Sequence, residues 1–307
     1  MSGGQCMTGI QKIEHAHLYV EDLDMALKFY REVMGLVEID RDDGLVYLGC
    51  GTDEFFDLAV EEGGTGVEHF AVRVDGERNV DRAESVLADA GVETRRTDGD
   101  ESGQRHGVRF DIPSGTTAEL VVTEKVDRGG YQHVTDTPYT PPSSTPVDLD
   151  HITLASTNVE KDATFLRDTL DWHLSDVFVD EDEEWTMAFV RRGDYHHDVG
   201  LITCDEPDWT LNHLGWEFSS IDHMKLFADQ LARNDHYLEM GMNRHYAGDN
   251  IFAYFREPGG NRFEMTAEMA TLDPSTPTEF HHAEKGTGDI IAAWRGITSP
   301  PSLDEGS

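Results

Sequence analysis

The chain is short of cations. Of 307 residues, 24 are Lys or Arg against 61 Asp or Glu, a formal net charge of −37, and only six of the cations are lysine. That deficit excludes a nucleic-acid binder that works by neutralising phosphates, because the summed field repels a polyanion. Cysteine is scarce as well: Cys6, Cys50 and Cys204 lie far apart and match no metal or redox spacing. A reducing, cytoplasmic compartment is therefore expected. No stretch approaches the ~18 apolar residues that a membrane-spanning helix needs, and the N-terminal MSGGQCMTGIQKIEHAH lacks the apolar core of a signal peptide. The expectation is a soluble protein with neither nucleic acid nor membrane among its partners.

The acidic residues are dispersed along the chain rather than gathered in a tail. A dispersed acidic, Lys-poor surface reads as halophilic, since screening at high salt relieves self-repulsion. The apolar residues fall into periodic blocks separated by turn signals, which excludes an acidic disordered chain. The length suits two domains.

One element order recurs four times: a strand, an amphipathic helix, then three strands, over residues 11–60, 66–124, 149–204 and 211–267. The first helix begins near Asp22 and carries Leu23, Ala26, Leu27, Tyr30, Val33 and Met34 at helical spacing up to Gly35. The second places Val80, Ala83, Leu87 and Ala90 on one face, with Gly91 as its stop. Asn158 is the expected cap of the third, which carries Val159, Ala163, Leu166 and Leu170. Ser220 is the expected cap of the fourth, with Ile221, Met224, Ala228 and Leu231 as its buried stripe. IEH at 13–15 matches LDH at 149–151, VEH at 67–69 matches LNH at 211–213, and AEL at 118–120 matches FEM at 263–265. Duplication explains these near-constant offsets. The division expected is a first domain over 8–125, a Pro/Ser/Thr-rich linker over 126–146, a second domain over 147–268, and a docking segment with a polar tail over 269–307.

Chemistry concentrates in the second half. His151 falls on the first strand of the third unit, His213 on the first strand of the fourth, and Glu264 on the last strand of that unit. Two imidazoles and one carboxylate on the inner face of a curled sheet make a facial triad, which suits Fe(II) with open positions. Zinc more often takes a closed tetrahedral set or leaves a single position open. The alternative for scattered His and Glu is surface exposure or a structural role. His197 in YHHDVGLI, His245 in NRHYAGD and Tyr254 in IFAYF add acid/base and hydrogen-bonding groups near the triad.

The segment NRH-(x)8-Y-FREP-GG-NRF-E, from Asn243 to Glu264, resembles the signature of type I extradiol ring-cleavage dioxygenases, within the vicinal oxygen chelate superfamily. GLVEIDRDDGLVYLG, GVRFDIPSGTTAEL and HHDVGLI are similar to segments of the catechol 2,3-dioxygenases. The resemblance covers nearly the whole chain. It implies an α+β fold of two tandem domains, each of two βαβββ modules forming an open, cup-like barrel, with the catalytic metal in the C-terminal cup. His151, His213 and Glu264 would be the ligands of Fe(II), with Mn(II) as the alternative ion. His197 would be the active-site acid/base, and His245 and Tyr254 would hydrogen-bond the catecholate oxygens and assist deprotonation. The implied reaction is extradiol cleavage of catechol, or a simple substituted catechol, by O2 to a 2-hydroxymuconic semialdehyde-type product. A homo-oligomer, such as a tetramer, is implied as well. The rival readings are cleavage of a larger diol, a glyoxalase-like isomerase or lyase, and a ligand-binding protein without turnover. Ala253 departs from the family, which has a larger residue before the tyrosine, and is expected to alter the pocket wall.

The N-terminal half repeats the triad as His15, His69 and Glu119, either a second metal site or a relic of the duplication. Arg109 falls near the place of Tyr254, and no partner of His197 is visible, so the relic is the expectation, and the resemblance makes this domain structural. The run DEDEE at 180–184 reads as a solvated hairpin tip. His281 and His282 receive no assigned role.

Overall fold

The structure, a computed structural model, describes residues 9–52, 55–123, 143–282 and 291–294. Most of the expected linker and the polar tail lie outside the described residues.

The first half runs β1 (Ile10–Val20), α1 (Leu23–Lys28) with a π-helical continuation (Phe29–Met34), β2 (Val37–Asp42), β3 (Leu45–Gly49), β4 (Leu58–Glu62), β5 (Val67–Val74), α2 (Glu77–Asp89), β6 (Thr94–Thr97), β7 (Gln104–Asp111) and β8 (Thr117–Thr123). The second repeats it as β9 (Asp148–Ser156), α3 (Val159–Leu170), β10 (His173–Val179), β11 (Trp185–Arg191), β12 (Val199–Thr203), β13 (Leu211–Glu217), α4 (Ile221–Arg233), β14 (Leu238–Arg244), β15 (Ile251–Arg256) and β16 (Arg262–Ala267). A last strand, β17 (Glu279–His282), follows. These are two βαβββ modules per half, as expected.

Each half is one mixed sheet, ordered β2-β3-β4-β1-β5-β8-β7-β6 and β14-β15-β16-β13-β9-β12-β11-β10-β17. In every module the first strand pairs parallel with the last, as β1 does with β4 and β13 with β16. A parallel pair needs a crossover, and each module's helix lies in it. The two modules of a half meet through their first strands, antiparallel: β1 with β5, and β9 with β13. Strand alternation turns one face of each sheet to the helices and the other into the cup.

Helix ends follow the side-chain chemistry. Asn158 Oδ1 accepts from the Lys161 amide at 2.9 Å and Ser220 Oγ from the His223 amide at 3.3 Å, caps of a kind that contribute about 1 kcal/mol each. Gly35 closes the first helix at φ 78°, a conformation open to glycine at little steric cost. Three details differ from expectation, the first being that Ala90 caps α2 beyond its end and is exposed. The first helix widens into a π-helical turn, in which the Gly35 amide bonds the Tyr30 carbonyl five residues back, and the Leu36 amide closes the end on the same carbonyl at 2.8 Å. On α4, Ile221 is 38% exposed and Phe227 is fully buried in its stead. Phe227 packs on Phe218 and Phe255, and this aromatic contact sets the helix's rotation.

The halves share one continuous apolar core. Tyr30 of the first half stacks on Phe263 of the second at 6.0 Å. Asn261 bonds both the Gly66 amide and the Tyr19 carbonyl across the junction.

Candidate metal centre

The C-terminal cup is organised by a row of four residues in register. His151 on β9 faces Gly215 on β13, Gly215 faces Glu264 on β16, and Glu264 faces Tyr254 on β15. His213 lies two residues before Gly215, so it enters the cup from the same face. Gly215 makes room: a Cβ there would lie 2.3–2.7 Å from three atoms of the His151 ring.

The triad expected from sequence is thereby assembled. His213 Nε2 lies 3.0 Å from Glu264 Oε2, His151 Nε2 lies 3.5 Å from the same oxygen, and the two Nε2 atoms are 3.3 Å apart. All three residues are buried. Asp150 Oδ1 accepts from His151 Nδ1 at 2.6 Å, and Asn212 Oδ1 accepts from His213 Nδ1 at 2.8 Å. Protons fixed on both Nδ1 atoms leave both Nε2 lone pairs aimed at one point, the outer-sphere arrangement of a metal-binding histidine. Asn250 Nδ2 donates to Glu264 Oε1 at 3.1 Å and leaves Oε2 for an ion. The donor set therefore fits a divalent transition metal.

The metal-free electrostatics agree. Burial lowers His151, but its hydrogen bonds to Asp150 and Glu264 outweigh this and raise it to about 10. Burial dominates at His213 and lowers it to about 4. Burial would raise Glu264, yet the hydrogen bonds from His151, His213 and His245 hold it well below the usual carboxylate range. One proton thus sits where a cation would sit.

The three expected acid/base groups line the same cavity. The His197 ring lies against His151, centroids 4.4 Å apart, and Tyr254 lies against His213 at 5.1 Å. The Tyr254 hydroxyl is 3.3 Å from His245 Nε2. His245 is stacked on Phe252 at 3.6 Å and 5°, and its Nδ1 is 2.9 Å from the Ile291 carbonyl. A carbonyl only accepts, so Nδ1 carries the proton and Nε2 faces the cavity as a base. Burial, and then the charges of His151 and His196, hold His197 well below its ordinary value. Burial and Glu264 push the Tyr254 phenol well above its own. At neutral pH His197 is a proton acceptor and Tyr254 a proton donor.

Several residues beside the cavity have no role in the expectation from sequence. His196 Nδ1 lies 3.0 Å from His197 Nδ1, His196 Nε2 lies 2.6 Å from Asp176 Oδ2, and His281 Nε2 lies 2.9 Å from Asp176 Oδ1. A buried string thus leads from β17 to His197. Asp150 and Asn212, each directly before an expected ligand, are the hint of an outer sphere that the sequence offers. Ala253 corrects an expectation: it belongs to the core on the helix side, opposite Phe252 and Tyr254, and does not line the cavity. Strand alternation is the reason. The DEDEE run forms the exposed β10–β11 turn, as expected.

The N-terminal cup repeats the row as His15, Ala71, Glu119 and Arg109. His15, His69 and Glu119 are buried together, joined by Glu101. Arg109 Nε donates to Glu119 at 2.9 Å and its Nη2 to Glu101 at 2.9 Å.

The model of the Glyoxalase/Bleomycin resistance protein/Dioxygenase superfamily matches residues 12–120 and 148–265. A metapyrocatechase of Pseudomonas sp. (strain CF600) is 28% identical over 265 residues, covering 84% of this chain and 86% of that protein. A manganese-dependent 2,3-dihydroxybiphenyl 1,2-dioxygenase of Geobacillus genomosp. 3 is 26% identical, covering 95% and 96%. The crystal structure of homoprotocatechuate 2,3-dioxygenase from Arthrobacter globiformis shares the fold, with a TM-score of 0.86 at 24% identity over 100% of this chain and 94% of that one. The two matched segments coincide with the two halves of the duplication, and the chain belongs to the glyoxalase/bleomycin resistance protein/dioxygenase superfamily.

Proposed function

We propose that this protein is an Fe(II)-dependent extradiol dioxygenase that opens the ring of catechol, or of a simple substituted catechol, with O2 to a 2-hydroxymuconic semialdehyde-type product. The observation that carries this reading is the convergence of three buried ligands, His151, His213 and Glu264, with two acid/base groups over different ligands, His197 over His151 and Tyr254 over His213. The names of the relatives support the same reaction class.

Iron held by the triad supplies a Lewis-acid centre that a vicinal diol can chelate and the electron density that lets dioxygen react. The chain supplies the rest. His245 Nε2 accepts a proton from one diol hydroxyl, and the Ile291 carbonyl steadies the charge that then rests on the ring. Tyr254 stays protonated and donates a hydrogen bond to a substrate oxygen. His197, neutral and beside His151, takes and returns a proton on its side of the triad. Met187, Phe189, Ile202, Ala247 and Ile291 give the cavity an apolar wall, and among the described residues no Lys or Arg lines it. That favours an uncharged catechol over a diol carrying a carboxylate, which would need a cation to balance it.

The test is a panel of catechols offered to protein loaded anaerobically with Fe(II) and then exposed to air. Molar salt belongs in the buffer, because a net charge of −37 is self-repelling. A yellow ring-fission product with catechol supports the proposal. Iron bound but no product from any catechol would sink it, and turnover of only larger or carboxylated diols would move the substrate assignment.

A further inference from the structure

The N-terminal cup keeps the three ligands of its sister and loses all three acid/base groups. Phe56 lies 4.4 Å from the His15 ring, as His197 lies 4.4 Å from His151. Arg109 takes the register position of Tyr254. The β6–β7 loop carries Glu101 where the β14–β15 loop carries His245. Here the three residues stayed and a fourth donor, Glu101, lies with them.

We propose that His15, His69, Glu101 and Glu119 form a second, closed site for a divalent ion of the zinc class, which holds the N-terminal half together and performs no turnover. Bonds of about 2.0–2.1 Å to a tetrahedral ion place neighbouring ligand atoms about 3.3–3.4 Å apart. His15 Nε2 and His69 Nε2 are 3.3 Å apart, and each approaches Glu101 Oε2, at 3.3 and 3.2 Å. His69 Nε2 lies 3.4 Å from Glu119 Oε2. These four distances match edges of a tetrahedron about an ion, and the remaining two pairs of ligand atoms lie within 4.8 Å.

The surroundings match an inner site. Glu68, the counterpart of Asn212, bonds His69 Nδ1 and turns Nε2 inward. Thr97 Oγ1 donates to Glu119 Oε1 at 2.5 Å, which Gly107 permits, since a Cβ there would lie 2.2 Å from that hydroxyl. Arg109 Nε and Nη2 bond Glu119 Oε2 and Glu101 Oε2, the same oxygens that face the histidines, and Gln104 Nε2 donates to Glu101 Oε2 at 2.7 Å, so a bound ion would take over these two oxygens from those donors. Glu101 Oε1 is buried without a hydrogen bond, with His17 Nδ1 3.8 Å away, which marks a polar group not completed by protein atoms alone; His15 Nδ1, on the far side of its ring, has no partner of the kind that Asp150 gives His151. With four protein ligands, the ion has no position left for substrate.

The test compares chelator-stripped wild-type protein with His213→Ala after equilibration with Zn(II) and desalting. Two ions per chain are expected in the wild type and one in His213→Ala. Glu101→Gln introduced beside His213→Ala should weaken that remaining ion by about tenfold or more. Co(II) in His213→Ala should give the intense visible bands of a tetrahedral ion, a readout that needs no activity. One ion per chain in the wild type, lost with His213→Ala while the protein stays folded by circular dichroism, would overturn the proposal. So would the pale spectrum of a six-coordinate cobalt ion.

Discussion

Arg109 and Tyr254 occupy one position of a duplicated row: each is the cross-strand partner of its half's carboxylate, Arg109 of Glu119 and Tyr254 of Glu264. The Arg109 guanidinium spends donors on Glu119 and Glu101, whereas the Tyr254 phenol lines the cavity and can donate to a substrate. Tyr254→Phe should therefore keep the C-terminal metal and lower kcat about 10- to 100-fold. Metal analysis beside steady-state kinetics checks this, and an unchanged kcat would remove Tyr254 from the chemistry.

Gly215 is not a ligand, yet it decides whether His151 can be one. A methyl group at that position would lie 2.3 Å from Cε1 of the ring, and the central strand between β9 and β16 cannot yield without moving both partners. Gly215→Ala should lower metal affinity about 10- to 100-fold, as loss of an outer-sphere partner does. Titration with Mn(II) followed by paramagnetic resonance reads this directly. Wild-type affinity in the variant would show that the row tolerates a side chain there.

Asp176 accepts from His196 Nε2, so His196 Nδ1 is left to accept from His197 Nδ1, and His197 Nε2 is bare. Burial would raise Asp176, but its hydrogen bonds from His196 and His281 hold it below its ordinary value. Without that anchor His197 can place its proton on the wrong nitrogen. His196→Phe and Asp176→Asn should each lower kcat about tenfold or more with little change in KM, and nitrogen NMR of labelled imidazoles should show a mixture of His197 tautomers. A pure wild-type tautomer in both variants would contradict the string.

Metal loading should depend on pH in one direction. The His151 value of about 10 and the His213 value of about 4 mean that at neutral pH one proton occupies the ligand set and must leave when an ion enters. Apparent affinity should rise roughly tenfold per pH unit between about pH 6 and 8, and calorimetry in buffers of different ionisation enthalpy should count one proton released. A flat profile would mean that the pair binds its ion without that proton.

Sequence made the architecture readable because period-2 and period-3.6 patterns and helix caps are local signals, and the duplication let each half check the other. His151, His213 and Glu264 were legible for the same reason. The row through Gly215 was not, because cross-strand register is fixed by the whole sheet and leaves no spacing signature. His281 stayed invisible as well: β17 joins the sheet beside β10, more than a hundred residues from Asp176. Ile221 was misassigned because helical spacing alone cannot choose between two neighbouring stripes when Phe227 offers the larger apolar surface.

The most direct measurement is a single turnover of catechol by the iron-loaded wild-type protein under isotopically heavy dioxygen, with His213→Ala as the control. Cleavage at the His151, His213 and Glu264 centre requires a muconic semialdehyde product carrying both heavy oxygen atoms, and no product from His213→Ala. Unlabelled product, or equal turnover by His213→Ala, would contradict it.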